Sequence, residues 1–203
     1  MTAHRLCLVA LALLLSAPAP GSRAEPGDKE HAAFAGGCFW SMEQPFDQLR
    51  GVLSTTSGFT GGTEVNPTYE QVASGRTGHA EVVLVLFDSR KVSYEKLLEV
   101  FWRNVDPLDA GGQFCDRGKQ YRTAIFYETE EQRRAAIASK ERIEETSRLP
   151  GAIVTQIAPL KVFYAADPSH QDYYLTNLRK YWTYRQGCGR DRRLRELWGP
   201  PHH

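Results

Sequence analysis

Val82-Val83-Leu84-Val85-Leu86-Phe87 is six apolar side chains with no polar interruption. In an extended chain successive side chains point to opposite faces, so this strand is apolar on both. Such a strand belongs in the middle of a sheet that is covered on each side. The other elements of the chain have to supply the neighbouring strands and the covering layers.

Residues 31–35 read as a strand running into Gly36-Gly37, and 41–49 as a helix that Pro45 permits only if it lies in the first turn. Extended structure restarts at 51–53 and continues through Thr55 and Phe59. A glycine-punctuated loop and the turn signal Asn66-Pro67-Thr68 then lead into Tyr69. Ser93 is an N-cap for a helix over 94–105, with Leu97, Leu98, Phe101 and Val105 on one face and Pro107 as its stop. Residues 108–119 form a loop and 121–127 a strand. Thr129 caps a charged helix reaching about 147, which Pro150-Gly151 ends. A strand over 153–164 is expected to bend at Pro159, and Ser169 to cap a last helix over 170–180. The tail, 184–203, is expected to coil over the surface. This order predicts an α+β two-layer sandwich with a mixed sheet and a ferredoxin-like core.

The first 24 residues differ in kind. His4 and Arg5 precede an apolar run from 6 to 15, and Ser22-Arg23-Ala24 closes the segment with small residues, the pattern of a secretory signal peptide. The run is too short to span a bilayer, which takes roughly 20 residues. The expectation is an exported protein, periplasmic or extracytoplasmic, with residues 25–203 as one domain and no stable membrane insertion after cleavage. Removing 1–24 takes away Arg5 and Arg23 and no acid, so the 25 basic residues fall to 23 against 24 acidic ones. A chain so balanced, with no run of Lys or Arg, does not have the electrostatic footprint of a nucleic-acid binder. Cleavage also removes Cys7 and leaves Cys38, Cys115 and Cys188. An odd number cannot all pair within one chain, so at least one thiol is free or reactive. With no Cys-x-x-Cys pair, a structural zinc site is not expected.

Gly36-Gly37-Cys38-Phe39-Trp40 places a thiol after a sharp turn, where a helix is expected to open. At a helix N-terminus a thiol has a depressed pKa and becomes nucleophilic. The same residues equally suit a small buried Cys packed among core aromatics, and both readings stand on this stretch alone. Glu81 immediately precedes the apolar strand. A carboxyl there is either desolvated, with a raised pKa suited to a general acid, or an ordinary surface Glu at a strand end. Asp116 and Tyr121 flank a glycine loop and Tyr69 follows a proline turn, places from which acids and phenols can hydrogen-bond a substrate oxygen.

Six segments in succession resemble the motifs of type A peptide methionine sulfoxide reductases: Gly36-Gly37-Cys38-Phe39-Trp40, Ser57-Gly58-Phe59-Thr60-Gly61-Gly62, Asn66-Pro67-Thr68-Tyr69, Gly78-His79-Ala80-Glu81-Val82, Asp116-Arg117-Gly118-Lys119-Gln120-Tyr121-Arg122 and His170-Gln171-Asp172-Tyr173. The resemblance covers nearly all of 25–203. It implies reduction of methionine S-sulfoxide, free or in oxidised proteins and peptides, the repair of an oxidative lesion. It also assigns roles. Cys38 is the nucleophile that attacks the sulfoxide sulfur, Phe39 and Trp40 hold the substrate methyl group, and Glu81 protonates the oxygen. Tyr69 and Tyr121 donate hydrogen bonds to that oxygen, and Asp116 is a supporting polar residue. Cys38 is left as a sulfenic acid, to be resolved by a second thiol. Cys188, in the glycine-flanked Gly187-Cys188-Gly189, is the preferred candidate, while Cys115 is open as resolver, relay or buried spectator. No cofactor is implied beyond thioredoxin or a thioredoxin-like protein as reductant, and the chain is expected to act as a monomer. Ser41, Phe59 and Ala166-Asp167-Pro168-Ser169 depart from the family's commoner residues.

Two other functions fit the residues. A secreted Cys-His acyl hydrolase would need His79 or His170 hydrogen-bonded to Cys38. A non-enzymatic secreted binding module would need only a structural disulfide.

Overall fold

The structure, a computed structural model, describes residues 29–146 and 149–200, so the signal-peptide reading of 1–24 lies outside the described residues. The elements are β1 (Lys29–Gly36), α1 (Glu43–Asp47), β2 (Val52–Thr60), α2 (Tyr69–Ala73), β3 (Ala80–Asp88), α3 (Tyr94–Arg103), β4 (Gly112–Gln113), β5 (Asp116–Arg117), β6 (Thr123–Tyr127), α4 (Glu130–Thr146), β7 (Gln156–Pro159), β8 (Tyr164–Ala165), α5 (Tyr173–Thr176), α6 (Leu178–Gly187) and α7 (Arg190–Trp198). Six strands form one sheet in the order β7-β6-β1-β3-β2-β8, while β4 and β5 make a separate small hairpin. Only the β6–β7 pairing is parallel, so the sheet is mixed and the fold is α+β.

The apolar strand β3 lies inside the sheet, between β1 and β2. Its Val83, Val85 and Phe87 enter the main core with Phe34 of β1, and with Leu97, Leu98 and Phe101 of α3. The Phe34 ring stacks on Phe46 at 5.0 Å and Phe101 at 5.3 Å. Trp102 Nε1 donates to Ser139 Oγ at 3.0 Å and ties α3 to α4. The opposite face is lined by Ala33, Ala35, Val82 and Phe126, with Leu160 and Phe163 packed on them. There the covering layer is extended chain, and Leu84 and Leu86 are only partly buried.

That covering chain corrects the single bent strand expected over 153–164. β7 and β8 lie on opposite edges of the sheet. Pro159 ends β7, Leu160 N donates once more to Tyr127 O at 2.7 Å, and the chain then crosses the far face to pair with β2. A ring without an N–H cannot continue a ladder, so the chain leaves the edge there.

The C-terminal expectations need a larger correction. Ser169 caps nothing. Residues Pro168–His170 form a 3-10 turn, and α5 and α6 follow in place of one helix over 170–180. The segment from 184, expected as coil, is helical through the end of α6 and in α7. Its anchors are polar or amphipathic, and apolar periodicity does not reveal them. Tyr174 donates to Asp47 Oδ2 at 3.1 Å, Tyr181 to Gln44 Oε1 at 2.9 Å, and Trp198 Nε1 to Val105 O at 3.0 Å. No helix among the described residues is long and apolar enough to cross a membrane.

Candidate active site

β1 ends in the turn that carries Cys38. Gly37 has φ +86°, and a Cβ there would lie 2.6 Å from Gln113 Cβ, so only glycine fits. Cys38 then caps a 3-10 turn, Phe39–Ser41, with Ser41 N donating to its carbonyl at 3.1 Å, and α1 follows. Pro45 is the third residue of α1, inside the first turn. The helix expected over 41–49 is thus two short pieces.

That geometry overturns the depressed thiol pKa expected of Cys38. The sulfur is buried, and burial pushes its pKa well above the ordinary value, with the charges of Glu81 and Asp116 pushing the same way. A single 3-10 turn does not offset desolvation and two carboxyls, so the resting group is a neutral thiol.

Glu81 lies on β3 opposite Phe59 of β2 and is 1% exposed. Its Oε2 accepts the Phe39 N–H at 3.1 Å. Burial pushes its pKa up to about 8, so it carries a proton at neutral pH. Tyr69 opens α2, where Thr68 makes a capping box with Gln71, and Tyr121 ends a 3-10 turn at 119–121. Both phenols are half-buried against the main core. Burial, then the charges of Glu81 and Cys38, raise their pKa values, so both remain hydrogen-bond donors. Asp116 of β5 accepts from the Tyr184 hydroxyl of α6, and burial raises its pKa. The structure therefore brings Cys38, Glu81, Tyr69, Tyr121 and Asp116 within electrostatic reach of one another.

Phe39 is fully buried, its ring 5.8 Å from Phe59, 6.3 Å from Tyr69 and 5.6 Å from His170. Trp40 is half-buried and stacks on Tyr173 at 3.8 Å, while its Nε1 donates to His170 Nδ1 at 3.2 Å. Gln171 holds this segment by copying a strand partner, accepting from Ser57 N at 2.8 Å and donating to Ser57 O at 2.9 Å. His79 is occupied elsewhere, accepting from Gly62 N and bonded to Glu64 O at 2.8 Å.

Cys115 is exposed and disulfide-bonded to Cys188, leaving Cys38 as the free cysteine among the described residues. This rules out the buried-spectator reading of Cys115, and in this state Cys188 is joined to Cys115. A cavity of about 250 Å³, lined by Asp106, Phe114, Cys188, Arg192 and Arg193 among others, opens beside the bond.

His170, weighed from the sequence only as a base for Cys38, instead holds Trp40. Several residues that shape the site were not singled out from the sequence. Tyr184 holds Asp116, and Gln113 backs the glycine turn. Arg190, two residues after Cys188, is fully buried and donates through Nη2 to Gly36 O at 3.0 Å and Asn104 O at 2.7 Å. Nothing in the local pattern of a basic helix distinguishes Arg190 from its exposed neighbours.

A buried thiol beside a protonated acid and two phenols, with a separate disulfide near the surface, defines a thiol-dependent oxidoreductase. Residues 30–201 match the family model described as peptide methionine sulfoxide reductase. The chain is 49% identical over 196 residues to peptide methionine sulfoxide reductase MsrA 2 of Caulobacter vibrioides, covering 96% of this chain and 97% of that protein. It is 48% identical over 174 residues to the MsrA of Bacillus licheniformis, covering 86% and 96%. Among solved structures, reduced Mxr1 of Saccharomyces cerevisiae superposes with a TM-score of 0.71 at 27% identity, covering 77% of this chain and 90% of that one. Mxr1 has also been solved in complex with Trx2. The chain belongs to the peptide methionine sulfoxide reductase family.

Proposed function

We infer that this protein reduces methionine S-sulfoxide to methionine, in proteins, peptides or as the free amino acid, and that Cys38 receives the oxygen. The observation that carries this reading is the pairing of a neutral buried thiol with a protonated buried carboxyl, joined through the Phe39 N–H. The sulfoxide oxygen is a poor leaving group until protonated. Glu81 gives its proton to that oxygen, the Cys38 sulfur attacks the substrate sulfur, and the thiol proton returns to Glu81. Collapse transfers oxygen to Cys38, so one sulfoxide and one thiol become methionine and a sulfenic acid with no net proton exchanged. Tyr69 and Tyr121 donate to the oxygen, and Phe39 and Trp40 contact the methyl group.

A second thiol condenses with the sulfenic acid, releasing water and forming a disulfide with Cys38. Exchange with the remaining thiol then frees Cys38 and leaves the Cys115–Cys188 bond, the state seen here. A thioredoxin-like donor reduces that bond, a reading supported by the exposure of Cys115 and by the complex known for the yeast protein. The signal pattern at 1–24 supports a reading in which the mature protein, taken as a monomer, and its donor both work outside the cytoplasm.

The Cys-His hydrolase reading is disfavoured, because the hydrogen bonds of both imidazoles go to groups other than Cys38: His79 Nδ1 and Nε2 meet Gly62 N and Glu64 O, and His170 Nδ1 meets Trp40 Nε1. The deciding experiment assays both methionine sulfoxide epimers with dithiothreitol as reductant. Consumption of the S form alone, lost in Cys38→Ser, is expected. Retained activity in Cys38→Ser would overturn the assignment.

A further inference from the structure

We propose that the reduced Cys115 and Cys188 thiolates, with the Asp116 carboxylate, form a binding site for a thiophilic divalent cation of the zinc type. The ligand atoms of these three residues all lie within 4.8 Å of one another. Zinc–sulfur bonds of about 2.3 Å and zinc–oxygen bonds of about 2.1 Å at tetrahedral angles put two sulfurs about 3.8 Å apart, and a sulfur and an oxygen about 3.6 Å apart. Cys115 Sγ is already 3.8 Å from Asp116 Oδ1. The two cysteine Cα atoms are 4.8 Å apart, so their sulfurs still face each other once the S–S bond is broken.

The carboxylate is oriented for this use. The Tyr184 hydroxyl occupies Asp116 Oδ2, which leaves Oδ1 turned toward Cys115. Metal-ligating carboxylates are commonly fixed by such an outer hydrogen bond. Exposure of Cys115 and the cavity beside Cys188 leave room for a water as fourth ligand, as in open zinc sites.

Redox state controls the site. A dithiol donor supplies two electrons and two protons and converts the disulfide to two thiols. The cation then displaces those protons and neutralises the charge that gathers around Asp116. The oxidised pair offers no thiolate and does not bind. Building on the recycling reading above, a bound cation withholds both thiols from the Cys38 sulfenic acid, so one methionine forms per enzyme and turnover stops.

The ligands come from a hairpin and from the end of a helix 73 residues away, a separation at which no zinc spacing is legible in the sequence. The test uses Cys38→Ser protein, reduced with a phosphine, desalted without oxygen and titrated with Co2+. One Co2+ per chain is expected, with thiolate-to-cobalt charge-transfer absorption and tetrahedral visible bands that Zn2+ abolishes. The oxidised protein should show neither. Asp116→Asn, checked for native circular dichroism and for closure of the disulfide, should bind at least about tenfold more weakly. Absence of the charge-transfer band in the reduced protein, equal binding by the oxidised protein, or full affinity in Asp116→Asn each overturns the proposal. Failure of the reductase reading would appear in the sulfoxide assay and leave this titration unchanged.

Discussion

The backbone N–H of Phe39 donates to Glu81 Oε2 at 3.1 Å, across 42 residues of sequence. This bond fixes the nucleophile's turn to the central strand, so thiol and acid move as one unit. It also satisfies one oxygen of a carboxyl that is 1% exposed and leaves the other for substrate.

Glu81→Gln keeps an oxygen for the Phe39 N–H and removes the proton donor. Its kcat is expected to fall by about 10²–10⁴, the usual contribution of a positioned general acid. In the wild type, activity should decline as pH rises through about 8, where Glu81 loses its proton. Stability has the same sign. The folded pKa stands above the ordinary 4.5, so the contribution is complete below 4.5 and is lost as pH rises through about 8. Urea denaturation across pH 5–9 should show a flatter profile for the variant. A loss of activity below about tenfold would remove Glu81 as the acid.

Phenol contributions are separable from packing. Tyr69→Phe and Tyr121→Phe preserve the rings that pack against the main core. Each should lose about tenfold in kcat with little change in melting temperature, and the double variant should lose more than either, because two donors to one oxygen partly replace each other.

Recycling separates the two surface thiols. If Cys188 meets Cys38 first, Cys115→Ser still closes a Cys38–Cys188 disulfide after one turnover, and thiol counting finds no free thiol. Cys188→Ser instead leaves Cys38 as a sulfenic acid and Cys115 free. Both variants should release one methionine per enzyme and both should fail with a thioredoxin-like donor. The reverse thiol counts would make Cys115 the first resolver.

The elements anchored by apolar residues were legible in the sequence. The run at 82–87 lies within β3, the face of Leu97, Leu98 and Phe101 belongs to α3, which ends at Arg103 ahead of Pro107, and Gly151 follows the end of α4. The one helix expected over 170–180 covers α5 and the start of α6, while the rest of α6 and α7 were not legible, because Tyr181 and Arg190 hold them by hydrogen bonds to distant partners. The resemblance supplied Cys38, Glu81 and the phenols residue by residue. It could not supply the thiol's raised pKa, which depends on how completely the fold excludes water from one sulfur.

His170 acts on the site through Trp40. Its Nδ1 accepts from Trp40 Nε1, and its ring lies 4.1 Å from Tyr69 and 5.6 Å from Phe39. His170→Phe keeps the stacking and removes the acceptor, so Trp40 can turn away from the substrate. KM for methionine sulfoxide is expected to rise severalfold with kcat nearly unchanged. An equal fall in kcat would give the imidazole a direct part in the chemistry.

Arg190 joins the recycling segment to the catalytic turn. Its guanidinium enters the protein just beyond Cys188, lies over the Phe114 ring at 4.5 Å, and holds the carbonyls of Gly36 and Asn104. Burial lowers its pKa to about 10, so it stays charged at neutral pH in surroundings that give Nε and Nη1 no hydrogen-bond partner among the described residues. Arg190→Met fills nearly the same volume but takes the Nη2 donor away from the buried Gly36 carbonyl and the part-buried Asn104 carbonyl, each worth about 1–3 kcal/mol. Relief of the buried charge offsets part of that loss. A net destabilisation of about 2–3 kcal/mol is therefore expected from urea midpoints. Because α7 starts at this residue, the variant should also close the Cys115–Cys188 bond more slowly. The yield of methionine in a first turnover, which needs only Cys38 and its acid, should be kept. If the first-turnover yield fell while disulfide closure kept its rate, Arg190 would belong to the sulfoxide chemistry and not to recycling.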